Sequence, residues 1–493
     1  VRPSDSARSG RTPTPDADVV VIGSGLAGLA AAHHLTAAGV QVTVLEAASR
    51  VGGRMATESV DGYLLDLSGR LLCPDWPELR RLPALDALEL RHFTPGALLR
   101  ADGRTHRIGD SARVGPRPGR TARPGGTEGT GTGPATGAGQ GTGHGARHGE
   151  RTDRRRTRGA LTTARALTSV RSRAAMTGAL DLARLRNSLA RFAAIPSERL
   201  LARTELPAAQ ALSARGLPAR TVGSLVRPLL VALLSDPALT TSSRVADLAL
   251  RGFVREGCAL PAGGMAAVPG LLAAGLPAGT IRTGVQAVSV TTNAVTTRHH
   301  GTLACRAVVV ATDAADAGEL LPGLRVPGFH PMTVLHHAID EPLPLSPSLL
   351  VDGDAQRSGP VSHTWAASAV DPARARPGGA LVTSVVLGGA ASDPVTVLDK
   401  ASRPQLGTLH GFPADRWSLV AAHHEPRAVP AMPAPHDMRR PVRLLSGLYV
   451  CGEHRDTSTA QGALVSGRRA AAEVLRDFGL PVPAADRPLR VAA

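Results

Sequence analysis

At 493 residues, 43% of them apolar, the chain is long enough for two or three domains and can bury a sizeable core. Its formal charge of +16 invites a nucleic-acid reading, but ten Arg against three acids (Glu128, Glu150, Asp153) within Ser111 to Arg158 supply +7 of it, with no aromatic side chain interleaved for base stacking, so no nucleic acid is expected as a partner. No run approaches the roughly 20 apolar residues of a membrane-spanning helix, and Cys73, Cys258, Cys305 and Cys451 lie far apart without metal-ligand spacing, so neither a disulfide framework nor a metal is expected.

The first residues, "VRPSDSARSGRTPTPDA", are polar and lack the hydrophobic core of a signal peptide, so the expected setting is a reducing cytoplasm. Lys400 is the single lysine against 55 arginines, a bias that reads as GC-rich coding. Order begins at "DVVVIGSGLAGLAAAHHL". Val19 to Ile22 predict a buried parallel strand, and Gly23-Ser24-Gly25-Leu26-Ala27-Gly28 matches G-x-G-x-x-G. Gly23 permits the tight turn, Gly25 lets a pyrophosphate approach the backbone, and Gly28 lets the helix pack close to the sheet. The helix is expected to run to about Ala38, with Gly39 as its stop. Val40 to Leu45 predict the second strand. Glu46 ends it, 18 residues past Gly28, placed to accept from an adenosine ribose. His33 and His34 read as packing or solvent-facing residues. This pattern predicts a dinucleotide site; on its own it leaves nicotinamide and flavin coenzymes both open.

The chain continues "AASRVGGRMAT". Gly52-Gly53-Arg54, directly after the ribose acid, resembles the flavin-containing amine oxidoreductase superfamily. That group includes monoamine and polyamine oxidases, protoporphyrinogen oxidase and phytoene-type desaturases. The resemblance implies FAD. It puts Leu26 and Ala27 beside the glycine turn and Ala47 beside the ribose acid. Arg50 and Arg54 then fall on the diphosphate, and Gly52 and Gly53 let the backbone pass the flavin. "DGYLLDLSGR" (Asp61 to Arg70) resembles the stretch that returns to the flavin edge at Gly69 and Arg70.

Residues 111–158 hold 13 glycines and no periodic apolar pattern, and read as a disordered Gly/Arg-rich insertion. From Leu161 to Arg255 apolar residues recur at helical steps, punctuated by Pro196, Pro207, Pro218, Pro228 and Pro237. Pro228 falls inside an apolar pattern and is expected to kink or divide its helix. "TSS" followed by "LPAGGM" is close to bacterial members of the desaturase and protoporphyrinogen-oxidase branch. An apolar helical cap suits a hydrophobic substrate or a membrane-surface dock; ordinary core packing accounts for the same residues.

"ALPAGGMAAVPGLLAAGLPAGTIRTGVQAVSV" predicts a turn at Gly263 and Gly264, a helix, and a strand near Ile281. In the family the position of Val285 meets the adenine. "RAVVVATDAADA" predicts another central strand and a helix start at Asp313. Short β-like runs from Met332 to Glu425 predict a mixed sheet under a substrate cavity. His336, His337, His363, His423, His424 and Glu425 are its candidate titratable groups. In "GLYVCGEHRDTSTAQGALVSGRRAAAEVL" a strand ends at Gly452-Glu453, where the family carries an acid beside the ribityl chain and diphosphate. Gln461, Gly462, Ala463 and Leu464 open a helix whose N-terminus would face the pyrimidine end of a flavin.

The expected fold is α/β: a two-domain FAD-binding fold with a Rossmann-like, doubly wound parallel sheet, plus a substrate domain with a mixed sheet and a helical cap. Residues 17–70, 261–324 and 441–480 are assigned to the FAD-binding domain. Residues 71–110, 159–260 and 325–440 are assigned to the substrate domain, with disordered tails at 1–16 and 481–493. The expected activity is hydride removal from a C–H bond of an apolar small molecule by noncovalent FAD. The electron acceptor (oxygen, a quinone or another carrier) and the catalytic side chains are left open, and peripheral contact with a membrane surface is an option. The alternatives are an amine oxidase with a remodelled pocket and a non-catalytic flavin-binding scaffold. The amine-oxidase reading lacks an aromatic pair, since Tyr63 and Tyr449 are the only tyrosines, and an active-site lysine. "HEPRAVPAMPAPHDM" also lacks the cysteine that tethers flavin in monoamine oxidases.

Overall fold

The computed structural model describes residues 16–482 except 75, 102, 109–172, 215–217, 342 and 355, with backbone only for 173–180. The expected insertion lies outside the described residues, as do residues 1–15 and 483–493 of the expected tails. The chain forms two units, residues 1–110 with 186–493 and residues 111–185; of the second, the described part is the start of the helix Arg173–Ala193. The first unit carries all the described strands.

Its first sheet grows from the valine run of Ala17–Ile22, buried on both faces as a central parallel strand must be. Val42–Glu46 pairs on one side and Thr302–Val310 on the other, both parallel to it. Ile281–Thr283 and Leu448–Val450 extend the parallel order at the two edges. The strand Thr302–Val310 also pairs antiparallel, through its first half, with Ala294–Thr297 and thence Ala287–Val290. Two helices, Leu26–Ala37 and Ala460–Asp477, pack closely on each other. A Cβ at Gly467 would stand 2.1 Å from the Ala27 carbonyl oxygen, so only glycine allows that approach. A hairpin, Thr57–Val60 with Tyr63–Asp66, turns at Asp61 (φ 50°) and Gly62 (φ 80°), the positive-φ pair of a tight two-residue turn.

The second sheet has seven strands in the order Ser418–Pro430, Phe329–Ile339, Ala380–Leu387, Val361–Ala366, Leu349–Asp352, Ala97–Ala101 and Arg104–Ile108. All pairings are antiparallel except that of Leu349–Asp352 with Ala97–Ala101, so the sheet is mixed as expected. Its two-residue period sends alternate side chains to opposite faces. Leu335 and Ile339 pack with Leu398 and Leu406 of the helix Val395–His410, while Met332 and Val334 face a cavity. The strands Ala97–Ala101 and Arg104–Ile108 of this sheet were not anticipated.

The region after residue 193 is helical, as its apolar steps predict. Pro228 does not divide its helix: Ala219–Thr221, the π turn Val222–Val226 and Arg227–Leu234 follow one another with right-handed helical backbone at each junction, and the π turn stands just ahead of the proline. A π turn suits that position, because it loosens the hydrogen-bond ladder where proline has no N–H to donate and its ring would crowd the preceding carbonyl. Among the described residues, no helix is long and apolar enough to cross a membrane.

Candidate functional site

A cavity of about 1190 Å³ runs between the C-terminal ends of the parallel strands, the mixed sheet and the helices of residues 227–256. A single small-molecule pocket measures roughly 300–1,000 Å³, so this one has room for a large ligand and a second molecule. Of the residues singled out in sequence, Gly23, Gly25, Leu26, Ala27, Glu46, Ala47, Arg50, Gly52, Gly53, Arg54, Gly69, Arg70, Val285, Gly452, Glu453 and Ala463 all line it. Gly28, Gly462 and Leu464 do not. Gly28 lies under the turn, where a Cβ would stand 2.0 Å from the Gly23 carbonyl oxygen. Gly462 is pressed against Thr457 in the same way, and Leu464 is buried in the core.

The glycine turn is built for backbone approach. Gly23 adopts φ 103° against the Ala311 carbonyl. A Cβ on Gly25 would meet nothing within 4 Å, and one on Gly53 would meet only the Gly25 Cα at 3.8 Å. Two bare backbones therefore face each other across open space. The helix starting at Leu26 has no side-chain cap on its N-terminal N–H groups, so these are available to an anion. Gly52 N donates to Ser24 O at 3.0 Å and ties the second loop to the first.

Glu46 is held in place by Ser24, whose N and Oγ donate to Oε2 at 2.8 and 2.7 Å, and by Ala48 N, which donates to Oε1 at 2.9 Å. Sequence reasoning missed Ser24, which carries no signal beyond its place inside the motif. A carboxylate has about four acceptor positions, so Glu46 keeps capacity for a further donor. Val285 lines the cavity with its N–H donated to Glu46 O at 2.8 Å.

At the other end, Glu453 is buried and paired with two arginines, Arg54 Nη1 at 2.6 Å and Arg70 Nη1 at 2.7 Å. Burial pushes its carboxyl up, but the two guanidiniums outweigh burial and hold it below the usual carboxylate range. Arg54 also donates to Ala428 O at 3.1 Å, and Arg70 to Ser458 O. The three segments carrying Arg54, Arg70 and Glu453 are thus locked together with one net positive charge. The helix Ala460–Asp477 starts beside them. Thr459 caps it, accepting from Gly462 N at 3.0 Å, and Thr459, Ala460, Gln461 and Ala463 line the cavity. Thr459 was missed, although a threonine just ahead of a helix is a frequent cap.

Of the titratable candidates on the mixed sheet, His363 and Glu425 line the cavity; His336, His337, His423 and His424 do not. Burial pushes His363 down to about 4, against an opposing backbone hydrogen bond at Gly69, and its ring stacks on Trp365 at 6.0 Å. His454 also lines the cavity and is pushed down to about 4, by burial and then by the charge of Arg455. Both rings are neutral at pH 7. Lys400 is exposed on the helix Val395–His410 and lines no part of this cavity.

The family model for flavin-containing amine oxidoreductases matches residues 26–475, and the chain belongs to that family. Among curated relatives, putrescine oxidase of Kocuria rosea is 44% identical over 90 residues, which are 18% of this chain and 18% of that protein. Similar solved structures include a proposed protoporphyrinogen oxidase from Exiguobacterium sp. 255-15 (TM-score 0.64, 16% identity, 94% of this chain and 99% of that one). Another is cyclohexylamine oxidase from Brevibacterium oxydans IH-35A (TM-score 0.59, 18% identity, 94% and 100%). These structures share the fold. The family implies a flavin as cofactor, and the bare glycine turn, the uncapped helix start and the Glu46 carboxylate are a donor and acceptor set that fits one.

Proposed function

We propose that this chain is an FAD-dependent oxidoreductase that removes a hydride from a C–H bond of an apolar substrate, a dehydrogenase or desaturase. The observation that carries this reading is the cavity wall drawn from residues 197–258. Leu233, Leu234, Val245, Leu248 and Phe253 make it apolar, its charges are those of Arg251 and Arg255, and among the described residues of that stretch no carboxylate lines it. Such a wall favours an apolar body and disfavours a cationic amine.

In this reading Gly25, the helix start at Leu26, Arg50 and Arg54 hold the diphosphate, while Gly53 passes beside the flavin and Arg70 lies at its edge. Glu46 takes the ribose, and Val285 offers its carbonyl to the adenine, since its N–H is already donated. Gly52, Gly69, Glu453 and the helix start at Ala460 to Ala463 surround the flavin end. The bound flavin supplies the hydride acceptor. The chain's own part is to place the reacting C–H bond, to exclude water with the apolar wall, and to stabilise negative charge with the helix N-terminus. Noncovalent attachment is supported by the sequence of residues 424–438, which holds no cysteine where monoamine oxidases carry their tethering one. The division into FAD-binding and substrate domains at 17–70, 261–324 and 441–480 against 71–110, 159–260 and 325–440 is supported by the sheets. Every strand of the first falls in the former ranges and every strand of the second in the latter.

An amine oxidase with a remodelled pocket is the second reading. It is favoured by the identity to putrescine oxidase and by Glu425, a cavity carboxylate able to receive a cation. The test is incubation of the FAD-loaded protein with lipid and isoprenoid extracts, with oxygen or a quinone as acceptor. A product lighter by two hydrogens is expected. Turnover confined to primary amines, with peroxide release, overturns the proposal in favour of the second reading.

A further inference from the structure

Cysteines 73 and 258 are remote in sequence, and the sequence gives no reason to pair them. The fold brings them to facing positions. Leu72 and Ala259 form an antiparallel bridge in which Leu72 N donates to Ala259 O at 3.2 Å and Ala259 N to Leu72 O at 2.9 Å. A pair that exchanges both hydrogen bonds is followed, one step along each strand, by a pair that exchanges none. Here that pair is Cys73 and Cys258. Residues at such a site have Cα atoms about 4.5 Å apart in a regular ladder and side chains on the same face. A disulfide accepts Cα separations of roughly 4.4–6.8 Å.

The face they share is functional space, because both cysteines line the cavity, whereas Cys305 and Cys451 do not. All four are thiols in this structure. Cys73 is half-buried. Its Sγ would stand 3.0 Å from a Cβ on Gly252, so the sulfur packs closely on the helix Ser243–Glu256 at its glycine. Cys258 is buried, and burial, with Cys73 adding to it, pushes its thiol up.

We propose that Cys73 and Cys258 are a reversible dithiol–disulfide pair built into the cavity wall. The oxidant is a low-molecular-weight disulfide. The Cys73 thiolate, the more accessible sulfur, attacks one of its sulfurs, forming a mixed disulfide and expelling one thiolate. The Cys258 sulfur then displaces the second thiolate and closes the Cys73–Cys258 bond. Two protein thiols are oxidised, the reagent is reduced to two thiols, and the two protons lost from the protein are taken up by the expelled thiolates. The bond fastens the segment around Leu72 to the strand Ala259–Pro261 and removes two thiols from the substrate side of the cavity. A reductant of the dithiol class reverses it.

The FAD-loaded protein is treated with oxidised glutathione, then alkylated after denaturation without reductant, and its peptides are mapped. The expected result is a peptide linking Cys73 to Cys258, alkylation confined to Cys305 and Cys451, and return of all four alkylation sites after dithiothreitol. Cys258→Ser is expected to trap glutathione on Cys73, which shows the order of attack and depends on no turnover. The proposal is overturned if all four thiols of the wild type remain alkylatable, if the link joins two chains, or if Cys258→Ser traps no glutathione.

Discussion

The Arg54 guanidinium stands 2.6 Å from the buried carboxylate of Glu453, joining the loop after the second strand to a strand end near the far end of the chain. Arg70 completes the cluster from a third segment at 2.7 Å. Replacing Glu453 with Gln leaves two guanidiniums facing each other without their counter-charge. Removing one partner of a fully buried pair costs roughly 3–5 kcal/mol; here both arginines keep some solvent contact, and a loss of about 2–3 kcal/mol is expected. The folded carboxyl is held below its ordinary value of 4.5, so its contribution is complete above that value and is lost as pH falls through the folded value. Urea midpoints of wild type and Glu453→Gln should differ at pH 7 and converge in acid.

Gly25 and Gly28 belong to one motif but respond differently to a methyl group. Gly25→Ala meets nothing within 4 Å and should fold as the wild type does, while losing flavin affinity because the methyl occupies the cradle. Gly28→Ala drives its methyl to 2.0 Å from the Gly23 carbonyl oxygen and should destabilise the fold itself, by about 1–3 kcal/mol. Thermal unfolding of the flavin-free proteins, beside flavin titration, separates the two effects.

Behind the cavity, Arg374 and Asp66 form a buried ion pair at 2.6 Å, with Thr57 Oγ1 and Met265 N also donating to Asp66 at 2.7 and 2.8 Å. Arg374→Met strands the carboxylate and should cost about 3–5 kcal/mol by chemical denaturation. Adding Asp66→Ala should recover part of that loss, since the second change removes the charge that the first one orphaned.

Five histidines, His34, His336, His363, His410 and His454, are pushed down to about 4, in each case chiefly by burial. Unfolding releases rings that take up protons below their ordinary value of 6.5. Between pH 6.5 and 4 the unfolded state binds more protons, and stability must fall as the solution is acidified, with a limiting slope of about 1.4 kcal/mol per pH unit for each ring. His336→Gln, which retains a donor for Asp66 O, should flatten the measured pH dependence without changing its direction. An unchanged slope would show that this ring is not among its sources.

Removal of residues 111–158 should leave flavin binding intact, because their composition provides no core-forming pattern. Flavin retention on gel filtration measures this directly, and loss of the flavin would assign the segment a structural part.

The sequence by itself determined the elements whose information is local. The valine run, the glycine spacing, Glu46 and the Gly-Gly-Arg extension each state a backbone requirement within a few residues, so strand, turn and helix could be read there. The far strand at Leu448 and the helix after Thr459 were legible for the same reason. Contacts between segments were not. Glu453 marked a site, but its pairing with Arg54 and Arg70 depends on how three stretches converge. Only the tertiary structure brought His363 and Glu425 to the cavity: His337 and His424 fall on the opposite face of the mixed sheet, against Asp399 and Thr333, while His336 and His423 share the face of Glu425 but are covered by Asp66 and Glu58 of the hairpin. The same pairing turned two cysteines, unrelated in sequence, into neighbours across one bridge. Local rules specified the glycine turn, its helix and the acid after the second strand; the convergence of distant strands decided what surrounds them.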